Sequence, residues 1–297
     1  MVGVTSVREL RADVMYYFYS DVLDELPFSR DLRIRRVKKQ EKQSYGELTD
    51  ADHGYGLGLG GPLSFAIECV APTSDEARST ISKLAIALLL FKRDKIKNDQ
   101  LPFFRLDFGG SRTWDSADLP TLRTDELDHE QMKFPGFELR FDEIDNFKKS
   151  WDVCNGTWHP TLIVAGSRLL QTQQRVGETV FEDKLIDIMI ACEALVLSGE
   201  RDKGELIAHR LGKLQLGKSH YPEDRAMASL KLAYQLRNDI VHEGRLKKSH
   251  EDQLPTARFP DFVAECEELL RAGMVAYVDL MNEGKSKDDV IQYLGSP

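Results

Sequence analysis

The sequence predicts an α+β N-terminal domain, residues 1–150, followed by an all-α helical bundle over residues 158–297. Three observations lead there. Short segments rich in aromatic and branched side chains, the kind that pack on a pleated surface, are confined to the first half. From about Asp142 onward, apolar residues recur at helical spacing instead. Helix starts and stops then punctuate the second half.

In chain order, "VMYYFY" (14–19), "LRIRRV" (32–37), "LSFAIECV" (63–70), "FFRLDF" (103–108) and "FELRF" (137–141) read as strands. Between the third and fourth, Thr73 as N-cap and Glu76 at the third helical position form a capping box, opening a helix that runs to about Phe91. Residues 94–135 are loop-rich. Helices are expected at 142–153, 160–174, 180–198, 203–215, 222–243, 259–282 and 286–294. The third opens on a second capping box, Thr179 with Glu182. The fifth opens with Pro222 at its first position and acids at the positive end of its dipole, and it closes at Gly244.

Composition narrows the function. With 41% hydrophobic and 30% charged residues, the chain has the balance of a soluble globular protein. Its longest apolar run, "LAIALLLF", falls far short of the roughly 20 residues a membrane span needs. No apolar signal core opens the sequence, so a cytoplasmic location away from membranes is expected. The four cysteines, Cys69, Cys154, Cys192 and Cys266, are widely spaced, which favours small buried thiols over disulfides or zinc. A net charge of −9 argues against a general nucleic-acid coat, yet residues 201–250 hold a local excess of Lys and Arg. Such a segment can guide a polyanion to one place or form a solvated helix face.

Several motifs are set aside on context. Gly56, Gly58 and Gly61 match a dinucleotide fingerprint, but a strand follows rather than a helix, so they read as a turn. "RDLRIRRVKK" (30–39) reads as a charged edge strand rather than an RNA-contacting one. No H-E-x-x-H, P-loop or G-x-S-x-G pattern occurs, so no metal or cofactor is expected.

The informative stretch is "LKLAYQLRNDIVHEG" (230–244). On a helical wheel, Ala226, Leu230, Ala233, Tyr234, Ile240 and Val241 fall within one arc of roughly 120°, the usual buried width, and Arg237 projects into its middle. Asn238 and His242 share a face along the border. Arginine is rarely buried without a partner, which leaves two readings. One is an ion pair with Glu193, the lone acid in the apolar run "IMIACEALVL". The other is chemistry. A guanidinium matches phosphate geometry, and histidine moves protons near neutrality. Together they suffice for metal-free RNA cleavage. A base takes the 2′-hydroxyl proton, the 2′-oxygen attacks the adjacent phosphate, and the guanidinium stabilises the phosphorane. Arg245 and His250 repeat the same spacing in a polar segment beyond the helix stop, and that second match reads as coincidence.

The wider pattern "EDKLIDIMIACEALVLSGERDKGELIAHRLGKL" (182–214), followed by "LAYQLRNDIVHEG" (232–244), resembles the Apea-like branch of the HEPN superfamily. The resemblance covers about residues 158–282, and the helix at 74–92 also looks like one found in such proteins. It implies a HEPN-like bundle that homodimerises and joins two Arg-x4-His motifs into a composite RNA-cleaving site, often in toxins and antiviral defence proteins. On that pattern Arg237, Asn238 and His242 are the catalytic positions, while Glu193 and Arg210 support them. A trigger or antitoxin partner would then act through the N-terminal domain. The alternative is a non-enzymatic HEPN module for dimerisation or nucleotide binding.

Overall fold

The computed structural model describes residues 7–11, 25–36, 65–91, 105–107, 141–156, 159–172, 175, 179–256 and 258–295. The chain divides into two compact units. One comprises residues 1–85 and 94–148, the other 86–93 and 149–297.

The first unit holds an antiparallel sheet of β1 (Val7–Arg11), β2 (Glu25–Pro27), β3 (Leu32–Arg36), β4 (Phe65–Ala71) and β5 (Arg105–Asp107), in the order β2-β3-β4-β1-β5. Neither β1 ("VRELR") nor β2 ("ELP") carries the aromatic and branched enrichment that marks strands, so composition alone misses both. Alternation in β3 buries Leu32 and Ile34, and Ile34 lies opposite the buried Ile67 of β4. The basic residues of β3 do not line an edge. The strand is paired on both sides, and Glu68 accepts from both Arg33 and Arg35, while Arg33 also reaches Glu25. Burial pushes the Glu68 carboxyl up, but the two arginines outweigh it and hold the group below its ordinary value. "RDLRIRRVKK" is thus in part an interior strand with its charge matched from β4.

Helix α1 (Ser74–Phe91) begins where the first capping box places it, with the Glu76 N–H donating to Thr73 Oγ1 at 3.3 Å. Phe141 opens a short 3-10 turn (Phe141–Glu143) instead of ending a strand. It leads into α2 (Ile144–Gly156), whose Phe147 meets Phe28 edge to face, 5.6 Å between ring centres. The expected strand at 14–19, the glycine turn at 56–61, residues 137–140 and the Cys154 side chain lie outside the described residues.

The second unit is helical. It contains α3 (Pro160–Thr172), α4 (Val180–Val196), α5 (Lys203–Leu214), α6 (Glu223–Glu243), the short α7 (Lys248–Glu251), α8 (Phe259–Asn282) and α9 (Lys287–Leu294). Helix α4 is central and packs against α3, α5, α6 and α8. Its Leu185, Ile188, Met189, Cys192 and Leu195 are fully buried, as expected of a helix apolar nearly all round. Cys192 of α4 and Cys266 of α8 are buried, as is Cys69 of β4 in the first unit. Asp187 of α4, also buried, is held by Arg168 and Arg175 at 3.0 and 2.7 Å. Among the described residues no helix is long and apolar enough to cross a membrane.

Two helix starts differ from expectation. The Thr179 capping box does not form. With φ −96° and ψ 21°, Thr179 lacks the extended backbone of an N-cap, and its hydroxyl donates to Asp183 instead. Pro222 precedes α6 as the N-cap, with ψ 154°, rather than occupying the first helical position.

Candidate functional site

Helix α6 carries the Arg-x4-His segment, and its burial pattern revises the wheel drawn from sequence. The buried side chains are Ala226, Ser229, Leu230, Leu232, Ala233, Leu236 and Asp239. Leu232 and Leu236 draw the buried arc roughly 80° away from the predicted one at 100° per residue. Arg237 therefore stands at the edge of the buried face, half-buried, and not at its middle. Val241, expected inside, is 47% exposed. Tyr234 and Asn238 are half-buried, and His242 is exposed in the last turn.

Arg237 donates from Nη1 to Asn238 Oδ1 at 3.1 Å, which ties the two side chains together. Its Nε is buried and makes no hydrogen bond among the described residues. A buried guanidinium donor left this way costs about 1–3 kcal/mol, so it is poised to donate to a charged oxygen. Arg237 and His242 diverge by roughly 140° around the helix axis, with Asn238 between them.

Glu193 does not pair with Arg237. Its carboxylate lies 2.8 Å from Lys203 Nζ at the start of α5. This overturns the expected ion pair, for a simple reason. Lys203 comes from outside α4 and α6, and its flexible ammonium reaches Glu193, whereas the guanidinium is turned to Asn238. The Glu193 hydrogen bond and charge push the Lys203 ammonium up, and the positive charge of Arg237 pushes it the other way. Glu193, Lys203, Tyr234 and Arg237 thus share one neighbourhood. Gly204 makes the approach possible, since a Cβ there would lie 2.8 Å from Tyr234 Cδ1.

Arg210 is 5% exposed and bonded through Nε and Nη1. It donates to Val196 O at 2.8 Å, Glu200 Oε1 at 2.6 Å and Gly295 O at 3.0 Å. None of these bonds reaches Arg237, Asn238 or His242, so Arg210 clamps α4, α5 and the end of α9 rather than supporting the candidate site.

Beyond α6 the chain reverses. Gly244 adopts φ +70°, a left-handed conformation that favours glycine, and its N–H donates to Ile240 O. The reversal brings α7 back to Asp239. His250 Nδ1 lies 2.6 Å from Asp239 Oδ2, the Lys247 N–H donates to the same oxygen, and Lys247 Nζ lies 3.4 Å from Oδ1. Burial pushes the Asp239 carboxyl up, but these bonds outweigh it and hold the group below its ordinary value.

The structure thus ties Arg237 to Asn238 on α6 and leaves His242 one turn further on, facing away from Arg237. It places Glu193 one ion pair away and removes Arg210. Sequence reasoning missed Lys203 and Asp239, and it dismissed His250. The only signal for His250 was the second Arg-x4-His match. Among the described residues no group of three His, Cys, Asp or Glu side chains could hold a metal ion. No protein-family model, curated protein or solved structure matches the chain.

Proposed function

We propose that the chain is a metal-independent endoribonuclease of HEPN type that works as a homodimer, with α6 contributing to a composite site. The observation that carries this reading is the Arg237 guanidinium, half-buried with an Nε donor left unbonded among the described residues, on the same helix as an exposed His242 in the locally basic segment 201–250. The guanidinium would hold the scissile phosphate and stabilise charge on the phosphorane. His242 would exchange a proton with a reacting oxygen. Asn238, already bonded to Arg237, would orient the clamp. Requiring a 2′-hydroxyl makes the reaction specific for RNA.

The roughly 140° between Arg237 and His242 bears on how the site is assembled. Within one protomer they address different directions, so the reading needs a second copy to bring one protomer's histidine to the other's arginine. The same divergence favours one rival, a nucleotide-binding module in which Arg237 clamps a phosphate without a proton-transfer partner.

The test is cleavage of a labelled RNA by the full chain in excess chelator, with Arg237→Ala and His242→Ala in parallel. Cleavage to a 2′,3′-cyclic phosphate, lost in both variants while circular dichroism is unchanged, supports the nuclease. Nucleotide binding that requires Arg237 but not His242, with no cleavage, supports the rival. Sedimentation of the active species checks the dimer.

A further inference from the structure

Cleavage by 2′-hydroxyl attack needs two proton transfers, one from the attacking oxygen and one to the leaving oxygen, and within one protomer His242 supplies only one of the two groups. A second imidazole, that of His250, is anchored to the same helix through Asp239. Asp239 precedes His242 by three residues, so their Cβ atoms are about 5–6 Å apart on the helix surface. The Asp239 side chain is 4% exposed and that of His250 25% exposed, with 2.6 Å between Oδ2 and Nδ1. Once Nδ1 is committed to the carboxylate, Nε2 is the nitrogen left for exchange with a substrate. The charged groups around the pair are Asp239 and Glu243 from α6 and Lys247 from the turn, with Lys247 bonded to both acids. A purely structural hold on α7 already exists in those Lys247 bonds. The imidazole adds a proton carrier to it.

We propose that His250, held by Asp239, is the general acid of the α6 site, and that His242 is the base. The inference rests on the ribonuclease reading above. His242 accepts the 2′-hydroxyl proton as the 2′-oxygen bonds to phosphorus. The bond from phosphorus to the 5′-oxygen breaks with its electron pair going to that oxygen, and Nε2–H of doubly protonated His250 supplies the proton. The products are a 2′,3′-cyclic phosphate and a 5′-hydroxyl. Proton exchange with water then restores both histidines, and no oxidant or metal enters.

The test uses the full chain and two RNA oligonucleotides, one natural and one with sulfur replacing the 5′-bridging oxygen. A thiolate leaves without needing a proton. His250→Ala should cut the natural substrate about 10²–10³-fold more slowly than wild type and recover most of that loss on the sulfur substrate. His242→Ala should be slow on both. His250→Gln keeps a donor for Asp239 but carries no transferable proton. It should retain thermal stability and show the same loss and rescue. Cleavage of the natural substrate within about twofold of wild type by either His250 variant overturns the proposal, as does an equal loss on both substrates. Wild-type protein that cleaves neither substrate sinks the ribonuclease reading itself, a different result.

Discussion

Arg210 and Arg237 stand on neighbouring helices of one unit, and the fold treats their guanidinium groups in opposite ways. Arg210 is buried and donates to two carbonyls and a carboxylate, linking α5 to the end of α4, to Glu200 in the connection that follows it and to Gly295 just past α9. Among the described residues Arg237 is half-buried and has one hydrogen-bond partner, Asn238, with Nε left over. Both arginines matched the same family pattern, Arg237 as a catalytic position and Arg210 as a supporting one. The difference is one of satisfaction. A guanidinium bonded on several sides holds structure and has little to offer a ligand, whereas an under-bonded one at the edge of a buried face retains directional donors for an anion.

The sharpest way to break this contrast is to remove each group and ask what is lost. Arg237→Ala should reduce RNA cleavage by about 10²–10³-fold while the urea midpoint stays close to wild type. Arg237→Lys should not restore it, since an ammonium lacks the planar fork. Equal destabilisation by both alanine variants would erase the contrast. Arg210→Met should lower stability by about 3 kcal/mol, because Glu200 and two carbonyls lose their donor. Its catalytic rate, measured where the protein is folded, should hold.

The Arg210 side can also be sharpened by pH. Burial pushes the Glu200 carboxyl up, but hydrogen bonds from Arg210 and the Ser198 N–H outweigh this and bring it from 4.5 down to about 2. A lowered carboxyl stabilises the fold fully above about pH 4.5, and that contribution is lost as pH falls through about 2. The stability gap between wild type and Glu200→Gln, read from urea titrations, should therefore narrow across that window. A gap that stays constant would mean the Arg210 cluster is not ionic. On the Arg237 side, Gly204→Ala should cost about 1–2 kcal/mol, because the new methyl must displace Tyr234. Smallest of all, Lys203→Met should change stability by less than about 1 kcal/mol, since its ion pair with Glu193 is partly exposed.

What was legible in the sequence follows the range of the interactions involved. The bounds of α3 to α6, α8 and α9 were readable to within a residue or two because apolar periodicity and a terminator such as Gly244 act locally. The Thr179 capping box was not, since its geometry depends on how the chain enters α4. Which flank of α6 is buried turned on Leu232 and Leu236, two leucines that a narrow wheel assigned to the outside. The partner of Glu193 was hidden because Lys203 stands at the first position of α5, where helical periodicity does not say which acid a long side chain reaches. His250 required a chain reversal before it could matter, so linear spacing made it look accidental.

One carboxylate has a consequence for motion. A helix of four residues does not persist by itself in water, because its single turn cannot offset the cost of nucleation. Helix α7 is such a segment, and Asp239 grips it through both Lys247 and His250. Backbone amides from 247 to 252 should therefore resist deuterium uptake for as long as that anion is held, and exchange freely once Asp239→Ala releases them. The order of this stretch is borrowed from its neighbour, and the slow-exchanging amides would show where the loan ends.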